Sequence, residues 1–380
     1  MNRLRFEVKN NQGCFIFPET WYESLLEKFN ELLDSFDEDE ISDRSYINAL
    51  KRITQQEPDF IDAYAYMAYA FLEQETPRKA LNIALKGLAA GNRLIPEGFT
   101  GEISWLHPEN RPFLNALYAA ILANVHLQHH QNAVMLIDKI LAYNPSDNPG
   151  ARWLLGPELL RSGDHERALC VLRQYADEFS PYWYELGLLH FINGEPVKAA
   201  TAFRRGFAEN TYIAEILCGN LYPFPLALWH DYSSEPDTAR QYYETFCPLW
   251  GKYPEALLFV NWLYNQSGVL SERAEFMKCA EMLLRADDQE MNESIFQQRE
   301  LLRERIDDRL SEEIVQKLRT LNGEEIWPEL LRERIDDRLS EEIVQKLRTL
   351  NGEEIWPWML PFSGELIPAD ICFQNSLKYQ

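Results

Sequence analysis

The chain has 380 residues, of which 46% are hydrophobic, a composition typical of a protein that folds around a core. Its 37 basic and 60 acidic residues give a net charge of −23, which disfavours binding to nucleic acids or to anionic membrane surfaces. The charged first residues do not fit a signal peptide, and no later stretch has the apolar length of a membrane-spanning helix, so a cytoplasmic protein is expected.

The N-terminal part of the chain predicts a short hairpin followed by helices. Residues 4–17 alternate loosely between apolar and polar side chains around an Asn-Asn-Gln-Gly turn signal, Asn10–Gly13. From Glu19 the apolar residues are spaced as on one face of a helix, up to the acidic run 37–40. Residues 1–57 are therefore expected to form a hairpin and capping helices.

A small residue recurs inside apolar helical segments further along the chain. Ala133 and Ala168 are 35 residues apart, and Ala168 and Ala199 are 31 residues apart. A period of about 34 residues, with a small residue on the second helix and a bulky one on the first, is the tetratricopeptide signature. The complete set of such alanines is Ala80, Ala133, Ala168, Ala199, Ala239 and Ala274.

This pattern predicts an all-α fold in which residues 58–286 form a right-handed tetratricopeptide-like α-solenoid of antiparallel helix pairs. In the best-matching unit, Gly187 and Ala199 allow two helices to approach closely, and Phe203 fills the groove beside them. The regular spacing breaks in an irregular insert, residues 91–112, which is rich in Gly, Pro and Asn.

Four strings carry a resemblance to a known family. They are E-N-R-P-F-L (109–114), N-P-S-D-N-P-G-A-R-W-L-L-G (144–156), A-E-N-T-Y-I-A-E-I-L-C-G (208–219) and T-A-R-Q-Y (238–242). Together they resemble bacterial tetratricopeptide proteins similar to the suppressor-of-tumorigenicity-seven family. Pro149 stands where that family usually has Gln, and Thr211 where it usually has Pro. The resemblance implies helical repeats and interaction roles, and it supplies no catalytic residues.

The turn from Asn144 to Arg152 has two interpretations. Asn144, Asp147 and Asn148 are suited to end one helix and to cap the next. Alternatively, Arg111, Asp147 and Arg152 form a buried charged network that fixes the insert against the repeats and shapes a ligand-binding recess. Both interpretations remain open at this point.

Candidate partner-binding residues come from this region and from the predicted first helices of the repeats. First helices line the concave face of a tetratricopeptide solenoid. Most of their aromatic side chains are expected to form core between helices, and those directed into the groove are potential anchors for a helix or extended segment of a partner. The candidates are Arg111, Tyr118, Arg152, Trp153, Trp183, Tyr184 and His190.

No metal, cofactor or catalytic residue is expected. His126, His129 and His130 have helical spacing, but a turn exposed to solvent is favoured over a zinc site because no acidic residue or cysteine lies near them in sequence. Phosphate-binding and hydrolase motifs do not occur in the sequence. The six cysteines form no C-x-x-C pair, which argues against a disulfide framework or a thiolate site.

The C-terminal part, residues 287–380, is expected to be a helical extension. It contains a segment of 29 residues, 300–328, that recurs without a single change as residues 329–357, which indicates either a very recent tandem duplication or an artefact of sequence assembly. The apolar spacing in each copy predicts an amphipathic helix that stops at Asn322-Gly323 or Asn351-Gly352. Because two identical segments compete for one docking site, only one copy is predicted to pack fully.

These features favour a non-enzymatic scaffold that binds a protein or peptide in the concave groove of a helical-repeat superhelix. The acidic surface favours a partner with a basic segment and a salt-sensitive association. Two alternatives stay open: an acidic immunity or inhibitor protein that neutralises one partner, and a helical enzyme with an unrecognised site. The sequence does not indicate an oligomeric state.

Overall fold

The computed structural model describes residues 3–286 and 289–322. The chain divides into two compact units, unit 1 up to Asp164 and unit 2 from His165, so the division falls inside the region predicted as one run of repeats. Sixteen α-helices and one two-stranded antiparallel sheet make up the regular structure of the described residues, apart from short 3-10 turns. The helical class and the N-terminal hairpin are therefore confirmed.

The hairpin forms because two consecutive asparagines adopt the left-handed conformation. Strands β1 (Arg5–Lys9) and β2 (Gln12–Ile16) pair so that Lys9 lies opposite Gln12. Between them Asn10 and Asn11 have φ angles of 52° and 60°, as a tight two-residue hairpin turn requires. The alternation then directs the fully buried Phe15 into the core of unit 1.

Short turns join the helices of unit 1 into packed pairs. The turns after residues 73 and 126 contain Glu75 and Gln128 in the left-handed conformation, which ends the preceding helix. The small residues Ala80 and Ala133 on the following helices are fully buried. The helices are α1 (Glu19–Asp37), α2 (Asp43–Gln56), α3 (Ile61–Glu73), α4 (Pro77–Asn92), α5 (Arg111–His126), α6 (His130–Tyr143) and α7 (Arg152–Ser162).

Unit 2 contains the remaining helices. They are α8 (His165–Tyr175), α9 (Pro181–Ile192), α10 (Pro196–Glu209), α11 (Thr211–Leu217), α12 (Pro236–Trp250), α13 (Pro254–Tyr264), α14 (Ser267–Arg285), α15 (Gln289–Arg305) and α16 (Asp308–Asn322). Helices α9 and α10 approach so closely that a Cβ atom on Gly187 would lie 2.5 Å from the ring of Phe203. Only glycine leaves room for that ring, which explains the Gly187–Phe203 pairing in the sequence.

The recurring alanines are buried with one exception. Ala168, Ala199 and Ala239 have no exposed surface, as expected for contacts between helices. Ala274 is exposed, so the prediction that it is a repeat alanine is wrong. It lies on the outer side of α14, whose buried face is formed by Phe276, Cys279 and Leu283 instead.

The first copy of the duplicated segment forms the end of α15 and all of α16. The prediction of one amphipathic helix is wrong here, because the helix is interrupted at Ile306 and Asp307. The Asp307 carboxylate accepts a hydrogen bond from the backbone amide of Arg309 at 3.0 Å, which favours a new helix start. Ile306, Ile314 and Leu318 are nevertheless buried. The second copy, 329–357, lies outside the described residues, and so do its predicted helix and stop signal.

None of the helices in the described ranges combines the length and hydrophobicity that a bilayer span requires.

Candidate functional site

The irregular insert between α4 and α5 is held on two sides within unit 1. On one side it pairs with the hairpin: the Gly13 amide donates to the Glu102 carbonyl at 2.7 Å, and the Glu102 amide donates to the Asn11 carbonyl at 3.0 Å. On the other side, the Ile103 amide donates to the Tyr143 carbonyl at the end of α6 at 2.7 Å. The insert is therefore a fixed part of the fold even though it lacks regular structure.

Asn110 connects the hairpin to the insert from a fully buried position. Its Oδ1 accepts from the Phe15 amide at 3.0 Å. Its Nδ2 donates to the carbonyls of Gly13 at 3.1 Å and Ser104 at 3.0 Å. One side chain thus provides hydrogen-bond partners for three buried backbone groups.

Replacing Asn110 with Ala is expected to lower the unfolding free energy of unit 1 by about 2–3 kcal/mol, because several buried backbone groups lose their partner. Hydrogen exchange of the Phe15 amide should become faster by the factor that corresponds to this loss of free energy. The matched control is Asn148→Ala at an exposed position, where a change within about 0.5 kcal/mol is expected. Equal effects of the two substitutions would contradict this role for Asn110.

Asn144 and Asp147 fix the turn between α6 and α7. The buried Oδ1 of Asn144 accepts from the Trp105 amide at 3.3 Å and so attaches the insert to this turn. Asp147 adopts a φ of 50°, and its carboxylate accepts from the backbone amides of Ala151 and Arg152, both at 2.8 Å. Asp147 therefore caps the start of α7, whereas Asn148 accepts from the Ser146 hydroxyl at 2.8 Å.

The predicted charged network of three residues is corrected to a pair. Arg152 donates from Nε to the Asp147 carboxylate at 3.0 Å and from Nη2 to the Pro145 carbonyl at 3.0 Å. Arg111 instead donates from Nε to the Trp105 carbonyl at 3.1 Å. The two Asp147 oxygens are already engaged by the α7 amides and by Arg152, so Arg111 binds within the insert.

Two arginines stack on tryptophans attached to this same turn. The guanidinium carbon of Arg111 lies 5.6 Å from the ring centre of Trp105, and that of Arg152 lies 5.8 Å from the ring centre of Trp153. Both distances are within the range of cation–π attraction. Next to the first pair, Leu106 is 81% exposed. We use the name insert surface for Trp105, Leu106 and Arg111 of the insert together with Arg152 and Trp153 at the start of α7.

The remaining sequence-predicted partner-binding residues lie elsewhere. Trp183, Tyr184 and His190 are all on α9 in unit 2 and are buried, as expected for side chains of the core between helices and not for anchors that face a groove. The Tyr184 hydroxyl donates to the Asn210 carbonyl, and His190 Nδ1 lies 2.6 Å from a carboxylate oxygen of Glu195. Tyr118 is half-buried on α5 of unit 1.

The surroundings of α9 explain why the sequence does not separate core residues from groove-facing ones here. Every residue from 181 to 190 is buried, so the helix has no solvent face. A helix that is apolar on all sides gives no periodic signal of which side chains reach the surface. Trp105 and Leu106 were missed for the opposite reason, because the irregular insert has no periodicity from which exposure could be inferred.

The histidine cluster separates into exposed and paired members. His126 and His129 are exposed, whereas His130 Nδ1 lies 2.9 Å from a carboxylate oxygen of Glu158. The other oxygen of Glu158 accepts from Arg161 at 2.6 Å. Across residues 3–286 and 289–322, no group of three His, Cys, Asp or Glu side chains is arranged to hold a metal ion.

Comparison with known proteins finds no family model that matches the chain and no curated protein that resembles it. The resemblance to the suppressor-of-tumorigenicity-seven family stays a prediction from the quoted motifs.

Proposed function

We propose that the protein is a non-enzymatic scaffold, built from tetratricopeptide-like helix pairs within its units, that binds a protein or peptide partner through the insert surface. The observation that carries this proposal is the combination of two Arg–Trp stacks with the exposed Leu106 on a hydrogen-bonded frame. Tryptophan and arginine are the residue types most enriched among those that contribute most to protein binding.

The frame reduces the entropic cost of binding. Asn110 fixes the insert to the hairpin, and Asn144 fixes it to the turn before α7. The Asp147 carboxylate holds Arg152 beside Trp153. A partner therefore meets side chains whose positions are already restricted, which favours affinity.

The insert surface also defines the chemistry of the contact. Leu106 exposes most of its side chain to water, so covering it with an apolar partner group is favourable. The overall charge of −23 favours a partner that carries a basic segment as well. Helix α1 offers that segment a row of exposed acidic residues at helical spacing, Glu23, Glu27, Glu31 and Asp34.

Leu106→Asp is expected to reduce capture of the partner at least about tenfold, because a charge replaces the apolar contact. The measurement is quantitative affinity capture from extracts of the native host, with the full chain immobilised and the recovered proteins compared by mass spectrometry. The matched control is Met135→Asp on α6 of the same unit, since Met135 is also exposed, at 65%. Capture should also weaken at high salt.

Two results would contradict the proposal. An equal loss of partner capture in Leu106→Asp and Met135→Asp would show that the insert surface is not the binding site. Recovery of acidic partners only would refute the predicted basic segment.

A further inference from the structure

The first copy of the duplicated segment binds to a polar surface of unit 2 formed by α10 and α14. Arg204 on α10 is 2% exposed and donates from Nη1 to the Asp307 carbonyl and to the Ser311 hydroxyl, both at 2.7 Å. Its Nε donates to Glu272 on α14 at 2.9 Å. One buried guanidinium therefore links α10, α14 and the duplicated segment.

Further contacts come from the same face of α10. The Thr201 hydroxyl lies 2.6 Å from a carboxylate oxygen of Asp308 and 2.8 Å from the Ser311 hydroxyl. Ser311 is fully buried, and so is nearly all of Ile314. A cavity of about 340 Å³ remains between α14 and the first copy, lined largely by charged side chains of both. The contact is thus specific but in large part polar and open to water.

Every residue that the first copy contributes to these contacts has an identical counterpart 29 positions later. The pairs include Leu302 and Leu331, Arg303 and Arg332, Arg305 and Arg334, Ile306 and Ile335, Asp307 and Asp336, Asp308 and Asp337, Leu310 and Leu339, Ser311 and Ser340, Ile314 and Ile343, Val315 and Val344, and Leu318 and Leu347. The α10–α14 surface therefore has no contact chemistry that distinguishes residues 303–318 from residues 332–347.

The residues that precede each copy do differ. Ile295 is buried against Phe276 and Leu283, and Arg299 pairs with Glu209 at 3.0 Å. The corresponding positions before the second copy are Glu324 and Pro328. The upstream part of α15 thus favours the first copy without affecting the surface itself.

We propose that the second copy is a replacement for the first: when the first copy is released from the α10–α14 surface, residues 332–347 of the same chain bind there through the same contacts. The state with the first copy bound and the state with the second copy bound differ by a register shift of 29 residues. Because the second copy is tethered to the same chain, its effective concentration at the surface is high whenever the first copy leaves.

The test is a double-mutant cycle in the full chain, with Ile314→Asp in the first copy and Ile343→Asp in the second. Ile343→Asp alone should leave the melting temperature of unit 2 unchanged, because the first copy already occupies the surface. Ile314→Asp alone should lower it by only a few degrees, because the second copy substitutes. In the double variant the melting temperature of unit 2 should fall by far more than the sum of the two single decreases. Ile314→Ala and Ile343→Ala form a milder cycle if the Asp variants do not fold.

Hydrogen exchange with mass spectrometry identifies the bound copy directly, because each substitution changes the peptide mass of one copy. In the Ile314→Asp chain, the unaltered peptide of the second copy should become protected. Gln316→Ala, at an exposed position of the first copy, is the control that marks this copy and leaves it bound. Three results would overturn replacement within the chain. The first is additive effects in the cycle, and the second is an unprotected second copy in the Ile314→Asp chain. The third is a concentration-dependent dimer of that variant.

Discussion

Replacing Asp62 with Asn is expected to stabilise unit 1 by on the order of 4 kcal/mol at pH 8 and to leave its stability nearly unchanged at pH 4. Asp62 lies in the first turn of α3 and is only 8% exposed. Burial raises the pKa of its carboxyl from 3.8 to about 7. The favourable position at the helix N-terminus, worth about 1 kcal/mol or less, does not offset this desolvation.

The direction of the effect follows from proton binding. Between about pH 4 and pH 7 the folded state holds a proton on Asp62 that the unfolded state has released, so stability falls as the pH rises through this window. Above pH 7 the buried carboxylate is charged and the full penalty is present. Asparagine is neutral throughout and has nearly the same shape, so its stabilising effect should grow as the pH rises from about 4 to 7 and stay constant above pH 7.

The measurement is urea unfolding of unit 1 at several pH values, followed by hydrogen exchange of the α5 amides. Asp34→Asn, at an exposed position on α1, is the matched control and should give no pH-dependent gain. A gain of the same size at pH 4 and pH 8 would contradict the assigned cause. A destabilisation at pH 8 would show that the charged carboxylate has a favourable role.

Replacing Glu158 with Ala should destabilise unit 1 by about 3–5 kcal/mol, because it removes a buried carboxylate that Arg161 and His130 both contact. Glu158 on α7 has no exposed surface. Its two oxygens bind different partners: one accepts from Arg161 at 2.6 Å, and the other lies 2.9 Å from His130 Nδ1 on α6. The Arg161 side chain is itself only 2% exposed.

A second variant separates the effect of the lost ion pair from the effect of lost packing. Replacing both Glu158 and Arg161 with Met removes the ion pair and keeps the volume apolar, so most of the lost stability should return. The same urea and exchange measurement applies, with Glu97→Ala at an exposed position as control. A double variant as unstable as the sum of the single substitutions would contradict the account of the buried pair.

Local signals in the sequence were sufficient for much of the fold. The two consecutive asparagines that predicted the hairpin turn adopt the left-handed conformation it needs. Ala80, Ala133, Ala168 and Ala199 are buried because a small side chain at these positions allows neighbouring helices to approach. Such features depend on a few adjacent residues or on helical spacing, both of which a single sequence displays.

The site depends on contacts that a single sequence does not display. Asn110 binds the backbone of Phe15, 95 positions away, and His130 meets Glu158 across 28 positions. The spacing of apolar residues across 302–318 did not show the helix break at Ile306, which coincides with an acidic pair that starts a new helix. The quoted motifs and a predicted first helix made Arg111, Arg152 and Trp153 candidates, but only the fold shows which tryptophan each arginine lies over.

The most direct test of the proposed binding role is photo-crosslinking in cells of the native host, with a photoreactive amino acid placed at position 106 of the full chain. The exposed positions 85 and 135 of the same unit serve as matched sites. We expect one protein partner to be crosslinked from position 106 and not from positions 85 or 135. Crosslinking of that partner from all three positions alike, or from the other two and not from position 106, would contradict it.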